Sequence, residues 1–293
     1  MSDVLRWTIG NASDALNAAV EMRIQEDLAE DDRTALRIPA LAVDTTLNYL
    51  ALRWFVQSYA WNDIAAAVWI DPRYTHSRCN DFYIPLLERG CLQLDKFMGC
   101  EDWVLYLISR ISMLEETLTD LTNDSKGGEE RGKEAVDLDQ ALNVGLQHIL
   151  SLRYEHPLGT RRDTTFVTEM WVHAALVYLH VVAVGSRSNH LKLRSYVARG
   201  LSAYENMPRR LDIHIAMPFG VLASMATKDE VRAFLRVAEP PRKFDEINPG
   251  QRKTLGVVRE CCRMRKCVEE SSPTDGVSWR DGAISLGLVI LPV

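Results

Sequence analysis

The sequence predicts an all-α fold, and three observations support that prediction. Apolar residues recur at three- and four-residue steps along nearly the whole chain. No convincing run of alternating apolar and polar residues, the pattern of a half-buried strand, is found. Helix start and stop signals bound the apolar segments, as with Asp163 before residues 164–184 and Gly185 after them. We therefore expect one domain of stacked antiparallel helices over residues 1–293.

The individual helices follow from the same periodicity. Residues 45–69 are apolar on more than one face and predict two buried segments, whereas 83–121 predicts two helices that separate near Met98. Pro218 predicts a kink or a break in the segment that Asp212 begins. The other predicted helices cover residues 13–28, 139–155, 164–184, 191–205, 227–239, 249–267 and 277–288.

One stretch interrupts this pattern. Residues 122–137, TNDSKGGEERGKEAVD, are polar and poor in apolar residues. Because the helices on both sides still need partners for their apolar faces, this stretch predicts a mobile loop inside the single domain and not a boundary between two domains.

Composition excludes several classes of function. The net charge is −6 and the pI about 5.7, which argues against a surface that is cationic throughout and against direct DNA binding. The start of the chain lacks the pattern of a secretory signal. The longest apolar run, 171–185, is interrupted by two histidines and is shorter than the ~20 residues of a membrane span. We expect a soluble intracellular protein, nuclear or cytoplasmic, that is not secreted.

A cysteine-rich segment, VVRECCRMRKC, suggests a zinc site at first sight. A structural zinc needs four ligands, and the spacing of Cys261, Cys262 and Cys267 contains no CxxC pair. The other cysteines, far away in sequence, are Cys79, Cys91 and Cys100. The segment therefore predicts a half-buried helix end with a basic exposed face and no metal site. Because the sequence contains no Gly-rich phosphate loop, we also expect no cofactor.

Two histidines on one predicted helix are the candidate chemical groups. His173 and His180 are seven residues apart and so lie near one face, with Glu169 one turn before His173. They could act in general acid–base catalysis, or they could be core histidines whose ring nitrogens are satisfied within the fold. If the protein is an enzyme, His173, Tyr178 and His180 are the expected acid–base groups.

Six segments in order resemble one known family. They are WNDIAAAV (61–68), FMGCEDWVLYLISRISML (97–114), WVHAALVYLHVV (171–182), MPFGVLASMATKDEVRAFLRV (217–237), PGQRKTLGVVRECCRMR (249–265) and WRDGAISLGLVIL (279–291). Over roughly residues 45–293 the chain resembles the fungus-specific transcription factor domain, the helical regulatory half of fungal zinc-cluster regulators. Such regulators normally begin with six clustered cysteines, but no cysteine precedes Cys79 here.

The resemblance implies a transcription-regulator-like protein without its own DNA-binding module, acting on fungal metabolism genes. It would sense a small-molecule ligand in an internal cavity and reach DNA through a partner protein or an upstream module, with a homodimer as a further option. The alternative is a small-molecule enzyme, an isomerase or cyclase of fungal secondary metabolism, built on the same helical scaffold. A truncated product without activity is a third option.

Overall fold

The computed structural model describes residues 40–70, 80–120, 127–155, 159–186, 190–238, 249–271 and 276–288. All the regular elements in these ranges are helices, which confirms the all-α prediction; the predicted helix 13–28 lies outside them. In chain order the helices are α1 (Ala40–Trp69), α2 (Asn80–Glu88), α3 (Asp95–Met98), α4 (Asp102–Asp120), α5 (Gly127–Glu155), α6 (Thr160–Val184), α7 (Leu191–Asn206), a 3-10 helix (Arg209–His214), α8 (Ala216–Ser224), α9 (Lys228–Ala238), α10 (Pro249–Ser271) and α11 (Trp279–Ser285).

Helix α6 is the centre of the fold. It contacts α4, α5, α7, α8 and the 3-10 helix, so its apolar side chains are covered on all sides. Its segment 161–184 is long and apolar enough to cross a membrane, but 78% of its most apolar window is buried inside the protein. A helix that is hydrophobic all round and buried in this way is the core helix of a large domain.

The C-terminal end of α6 lies where the sequence predicted it, but its N-terminal end does not. Gly185 ends the helix with φ 100° and donates its N–H to the carbonyl of Val181 at 2.9 Å, as predicted. Asp163 does not cap the helix, because α6 already begins at Thr160. The Asp163 carboxylate lies in the first turn, where an acidic group suits the helix dipole, and it accepts a hydrogen bond from Arg210 at 2.6 Å.

Helix α1 is continuous, whereas the sequence predicted two segments over 45–69. No proline or glycine interrupts this stretch, and its later turns bury more than one face, so a single helix explains the apolar residues on several sides. The predicted break near Met98 is confirmed: α3 ends there and Gly99 follows with φ 76°. A further break separates α2 from α3, where Asp102 accepts the backbone N–H groups of Gln93 and Leu94 at 2.8 and 2.7 Å.

The predicted loop at 122–137 is wrong for residues 127–137, which form the first turns of α5. Residues 121–126 lie outside the described part of the chain. Glutamate, lysine, arginine and alanine make up six of the seven residues of EERGKEA. They are good helix formers, so a polar segment can be helical while it is exposed. Glu134 of this segment also forms an ion pair with Arg110 of α4 at 2.7 Å.

The C-terminal half matches the predicted boundaries closely. Pro218 lies in the first turn of α8, after the 3-10 helix that replaces the expected helix start at Asp212. Thr227 and Glu230 form the predicted capping contacts before α9, with Glu230 accepting the Thr227 N–H at 2.7 Å. Pro249 is the first residue of α10.

Candidate functional site

The three candidate residues lie on α6 but not on one face. His173 and His180, 2% and 5% exposed, are seven residues apart on one side of the helix. Tyr178 is rotated well away from both and points toward α1, α4 and α11 through its contacts with Ala67, Glu115 and Trp279. The structure therefore places neither imidazole beside the Tyr178 hydroxyl, and the three residues do not form a joint acid–base site.

His173 is a buried imidazole without a hydrogen-bond partner on Nδ1. Its Nε2 lies 3.9 Å from a carboxylate oxygen of Glu169, whose other oxygen accepts from Arg153 at 2.5 Å. Helix α7 packs closely here, since a side chain on Gly200 would lie 3.4 Å from the His173 Cβ. Burial, and secondarily the charge of Arg199, lowers the pKa of His173 to about 3, so the ring is neutral at physiological pH.

His180 has a similar environment at the other end of the same face. Its ring packs against that of His190 with centroids 4.5 Å apart, and its Nε2 has no hydrogen-bond partner. Burial lowers the pKa of His180 to about 4, with smaller electrostatic contributions from the neighbouring His190 and Lys192 side chains. Among the described residues no group of three or more His, Cys, Asp or Glu side chains is placed to hold a metal ion.

Tyr178 belongs to a buried charged network instead. Its hydroxyl donates to Glu115 Oε2 at 2.6 Å. Glu115, on α4, forms a bidentate pair with Arg280 of α11, in which Nη2 and Oε2 are 2.9 Å apart. The carboxylate thus holds both the phenol and the guanidinium, a charge-assisted arrangement that fixes three helices relative to one another.

Residues of this network also donate hydrogen bonds to the last carbonyl groups of α1. Arg280 donates from Nε to the carbonyl of Val68 and from Nη2 to that of Ala67, both at 2.9 Å. The indole of Trp279 also donates to the Val68 carbonyl at 2.9 Å. The last carbonyls of a helix have no partner within it, so these side chains satisfy acceptors that burial would otherwise leave unpaired.

The sequence did not point to Glu115 or Arg280 as members of this network. Glu115 and Arg280 are 165 residues apart, and neither stands in a local motif that marks it as buried. The signal that could have found Arg280 is its position beside Trp279, inside one of the six segments that carry the resemblance.

Two cavities bear on the expected small-molecule ligand. The cavity inside the core, between α6 and α8, has a volume of about 10 Å³, room for one water molecule. A cleft of about 720 Å³ opens at the surface, between α3, the start of α6 and the 3-10 helix. Its lining includes the apolar side chains of Phe97 and Leu211, the cationic side chains of Lys96 and Arg161, and the imidazole of His214.

The three cysteines of α10 face different surroundings. Cys261 is buried and its Sγ lies 3.3 Å from the carbonyl oxygen of Ser278, while Cys262 is half-buried and Cys267 exposed. Burial raises the pKa of the Cys261 thiol to about 11 and also raises the pKa of Cys262. The Cys261 Sγ packs against α11, where a Cβ added to Gly282 would lie 2.5 Å from it.

Comparison with known proteins gives a family and several relatives. The model of the fungal specific transcription factor domain matches residues 28–281. Transcription factor dibT of Pestalotiopsis microspora is 27% identical over 222 residues, which cover 67% of this chain and 34% of the relative. The trichothecene biosynthesis transcription regulator TRI10 of Trichoderma arundinaceum is 22% identical over 61% of this chain and 40% of the relative.

The TRI10 protein of Fusarium sporotrichioides is 21% identical over 269 residues, 89% of this chain and 57% of the relative. The chain thus spans between about one third and three fifths of the length of these relatives. No solved structure matches the chain. Since the family model covers most of the sequence, and the described residues form the helical domain that the resemblance implies, the chain belongs to the fungal-specific transcription factor domain family.

Proposed function

We propose that this chain is the regulatory domain of a transcription regulator that controls fungal secondary-metabolite biosynthesis. The observation that carries the proposal is the family match over residues 28–281, together with relatives named as a transcription factor and as trichothecene biosynthesis regulators. In this proposal the protein acts in the nucleus. It reaches DNA through a separate DNA-binding module or a partner protein, since its own net charge of −6 does not favour a DNA surface.

The geometry supports regulation better than catalysis. Tyr178 is held by Glu115 in a buried network, and His173 and His180 are buried neutral rings on another face. A general acid or base must come within hydrogen-bond reach of a substrate, and the cavity that Tyr178 lines in the core, at about 10 Å³, is too small to admit one. The three candidate acid–base residues therefore give the enzymatic alternative no support.

An effector molecule, in this proposal, binds in the surface cleft and not in the core. The cleft volume of about 720 Å³ falls within the range of small-molecule sites, roughly 300–1,000 Å³. The cleft joins α3, α6 and the 3-10 helix, so a ligand that prefers one arrangement of these elements would shift the population of that arrangement.

The experiment is deletion of the gene in its native host, with transcripts of metabolite biosynthesis genes and the metabolites themselves followed together. We expect transcripts and product to fall together and to return when the wild-type gene is restored. Complementing the deletion strain with the His173→Ala, His180→Ala double variant tests the enzymatic alternative. If the protein is a regulator and the variant still folds, we expect the variant to restore the transcripts, because the two imidazoles have no catalytic role. Unchanged transcripts with an accumulating intermediate would overturn the regulatory proposal.

A further inference from the structure

Helix α1 carries two large aromatic side chains on its solvent-exposed side. Trp54 and Phe55 are 59% and 48% exposed, and Ala51, one turn before them, is exposed as well. The Phe55 ring stacks on that of Tyr59, with centroids 6.5 Å apart. Adjacent exposed aromatic side chains form a contiguous apolar patch, and such a patch on a folded domain indicates a contact with another segment or molecule.

The patch belongs to a stripe that has the spacing of a helix–helix seam. Its members follow one another at steps of three or four residues, so they share one sector of α1. We call them the α1 stripe: Ala51, Trp54, Phe55, Ser58 and Asn62. The other side of these turns, including Val56 and Ala60, is buried, and α1 contacts α4 and α11. The stripe is therefore the side of α1 that the described fold leaves accessible.

Residues 13–28, SDALNAAVEMRIQEDL, lie outside the described part of the chain and carry the pattern of a helix with an apolar row. Aliphatic residues recur there at every fourth position, which places them above one another on one helix: Leu16, Val20, Ile24 and Leu28. An isolated helix of this length is only marginally stable in water. The segment therefore needs an apolar surface to pack against.

The connection between this segment and α1 is long enough to bring it to the stripe. Residues 29–39 separate the segment from the start of α1 at Ala40, and eleven residues span at most about 36 Å. Trp54 lies only about 21 Å along α1 from Ala40. A helix that runs back along α1 can thus cover the stripe, and the short tether gives it a high effective concentration there.

We propose that residues 13–28 form a helix that packs across the α1 stripe of its own chain. The aliphatic row of the segment then covers the rings of Trp54 and Phe55. A partner protein that uses the stripe has to displace this segment first, so the contact controls access to α1. Residues 13–27 precede the family match, which begins at residue 28, and the inference does not rest on the proposed function.

Photo-cross-linking of the full 293-residue chain tests the contact directly. Trp54→p-benzoyl-L-phenylalanine places a photoreactive ring in the stripe. After irradiation and digestion with trypsin, we expect cross-links to the peptides 7–23 or 24–33, which contain the segment, in protein that remains a monomer. The matched control is Val144→p-benzoyl-L-phenylalanine, at a 62% exposed position of α5, and we expect it to reach neither peptide.

Hydrogen exchange followed by mass spectrometry measures whether the segment is protected. We expect the amides of residues 13–28 to exchange at least about tenfold more slowly in the wild type than in Trp54→Ser, Phe55→Ser, because a helix that loses its packing surface opens more often. The control variant, Val136→Ser, Val144→Ser, replaces two exposed apolar side chains of α5. It is expected to leave the exchange of the segment unchanged.

A reciprocal variant, Val20→Asp, Ile24→Asp, alters the segment and leaves the stripe intact. We expect it to abolish the cross-link from position 54 and the protection together, while circular dichroism shows that the helical domain is retained. Cross-links found only in a species of twice the mass would identify a second copy of the chain as the occupant and overturn the inference. Cross-links to neither peptide, or equal loss of protection in the stripe and α5 variants, would also overturn it. These measurements use purified protein, so their outcome is independent of the transcript changes that test the proposed function.

Discussion

The two sides of α6 treat buried polar groups in opposite ways. On one side, Tyr178, Glu115 and Arg280 satisfy one another, and Arg280 also satisfies two carbonyls of α1. On the other side, His173 Nδ1 and His180 Nε2 are buried without a hydrogen-bond partner. The first side holds its charged groups in pairs, whereas the two imidazoles of the second side are neutral rings, because burial of a titratable group is tolerated either by pairing its charge or by giving the charge up.

The difference shows what each side contributes. A fully paired network holds distant segments together, here α11, α4 and the end of α1, but it fails if one partner is removed. Neutral buried histidines tolerate loss of their polar atoms, but they make the fold sensitive to acid. Breaking each side in turn separates these two contributions.

The largest expected effect is from Arg280→Met. The variant leaves the Glu115 carboxylate and the α1 carbonyls buried without their donor, and we expect the free energy of unfolding to fall by about 3–5 kcal/mol. Urea denaturation followed by circular dichroism measures this fall. In the double variant Arg280→Met, Glu115→Leu the unpaired charge is removed, so a large part of the stability should return; a double variant no more stable than the single one would show that packing and not charge is responsible.

Tyr178→Phe tests the third member of the network. The ring keeps its edge contact with Trp279, whose centroid lies 6.1 Å away, while the hydrogen bond to Glu115 is lost. Hydrogen bonds to charged groups are worth about 1.5–3 kcal/mol, and we expect a loss in that range by the same denaturation experiment. An unchanged stability would mean that Arg280 alone satisfies the carboxylate.

The pH dependence of stability tests the histidine side. The pKa of His173 is about 3 in the fold, below its usual value near 6.5, so the unfolded chain takes up the proton first as the pH falls. Stability from this residue is therefore complete above pH 6.5 and is lost between pH 6.5 and 3, at up to about 1.4 kcal/mol per pH unit. His173→Phe should flatten the profile of unfolding free energy across this window.

The control for that experiment is His148→Gln, since His148 lies on the exposed side of α5. We expect this variant to keep the acid sensitivity of the wild type. If His173→Phe and His148→Gln gave the same profile, the acid sensitivity would have to come from other groups.

The smallest expected effect is from Asp229→Asn, which breaks an ion pair on the surface. Asp229 and Arg232 are 3.0 Å apart, with side chains 88% and 62% exposed. Exposed pairs of this kind contribute little, and we expect a change within about 0.5 kcal/mol in thermal or urea denaturation. A loss as large as that of Arg280→Met would contradict the view that burial makes the Glu115 pair critical.

Much of the fold was determined by local sequence signals. The helix periodicity predicted α6, α7, α9 and α10 with boundaries close to those observed, because caps, glycines and prolines act over one or two turns. Gly185, Pro249 and the Thr227–Glu230 capping pair are of this kind. The prediction was wrong at 127–137, where the polarity of the segment was interpreted as a loop, and in α1, where apolar residues on several faces were interpreted as two helices. Neither feature prevents a single helix from forming.

The tertiary structure alone decided which polar residues matter. Sequence spacing placed His173 and His180 on one face, but only packing shows that their rings are buried and neutral and that Tyr178 faces Glu115 instead. The pairing of Glu115 with Arg280 spans 165 residues, and no periodic pattern encodes a partner at that distance. The sequence determines local helices through short-range signals, whereas a buried charge finds its partner only when the whole chain has folded.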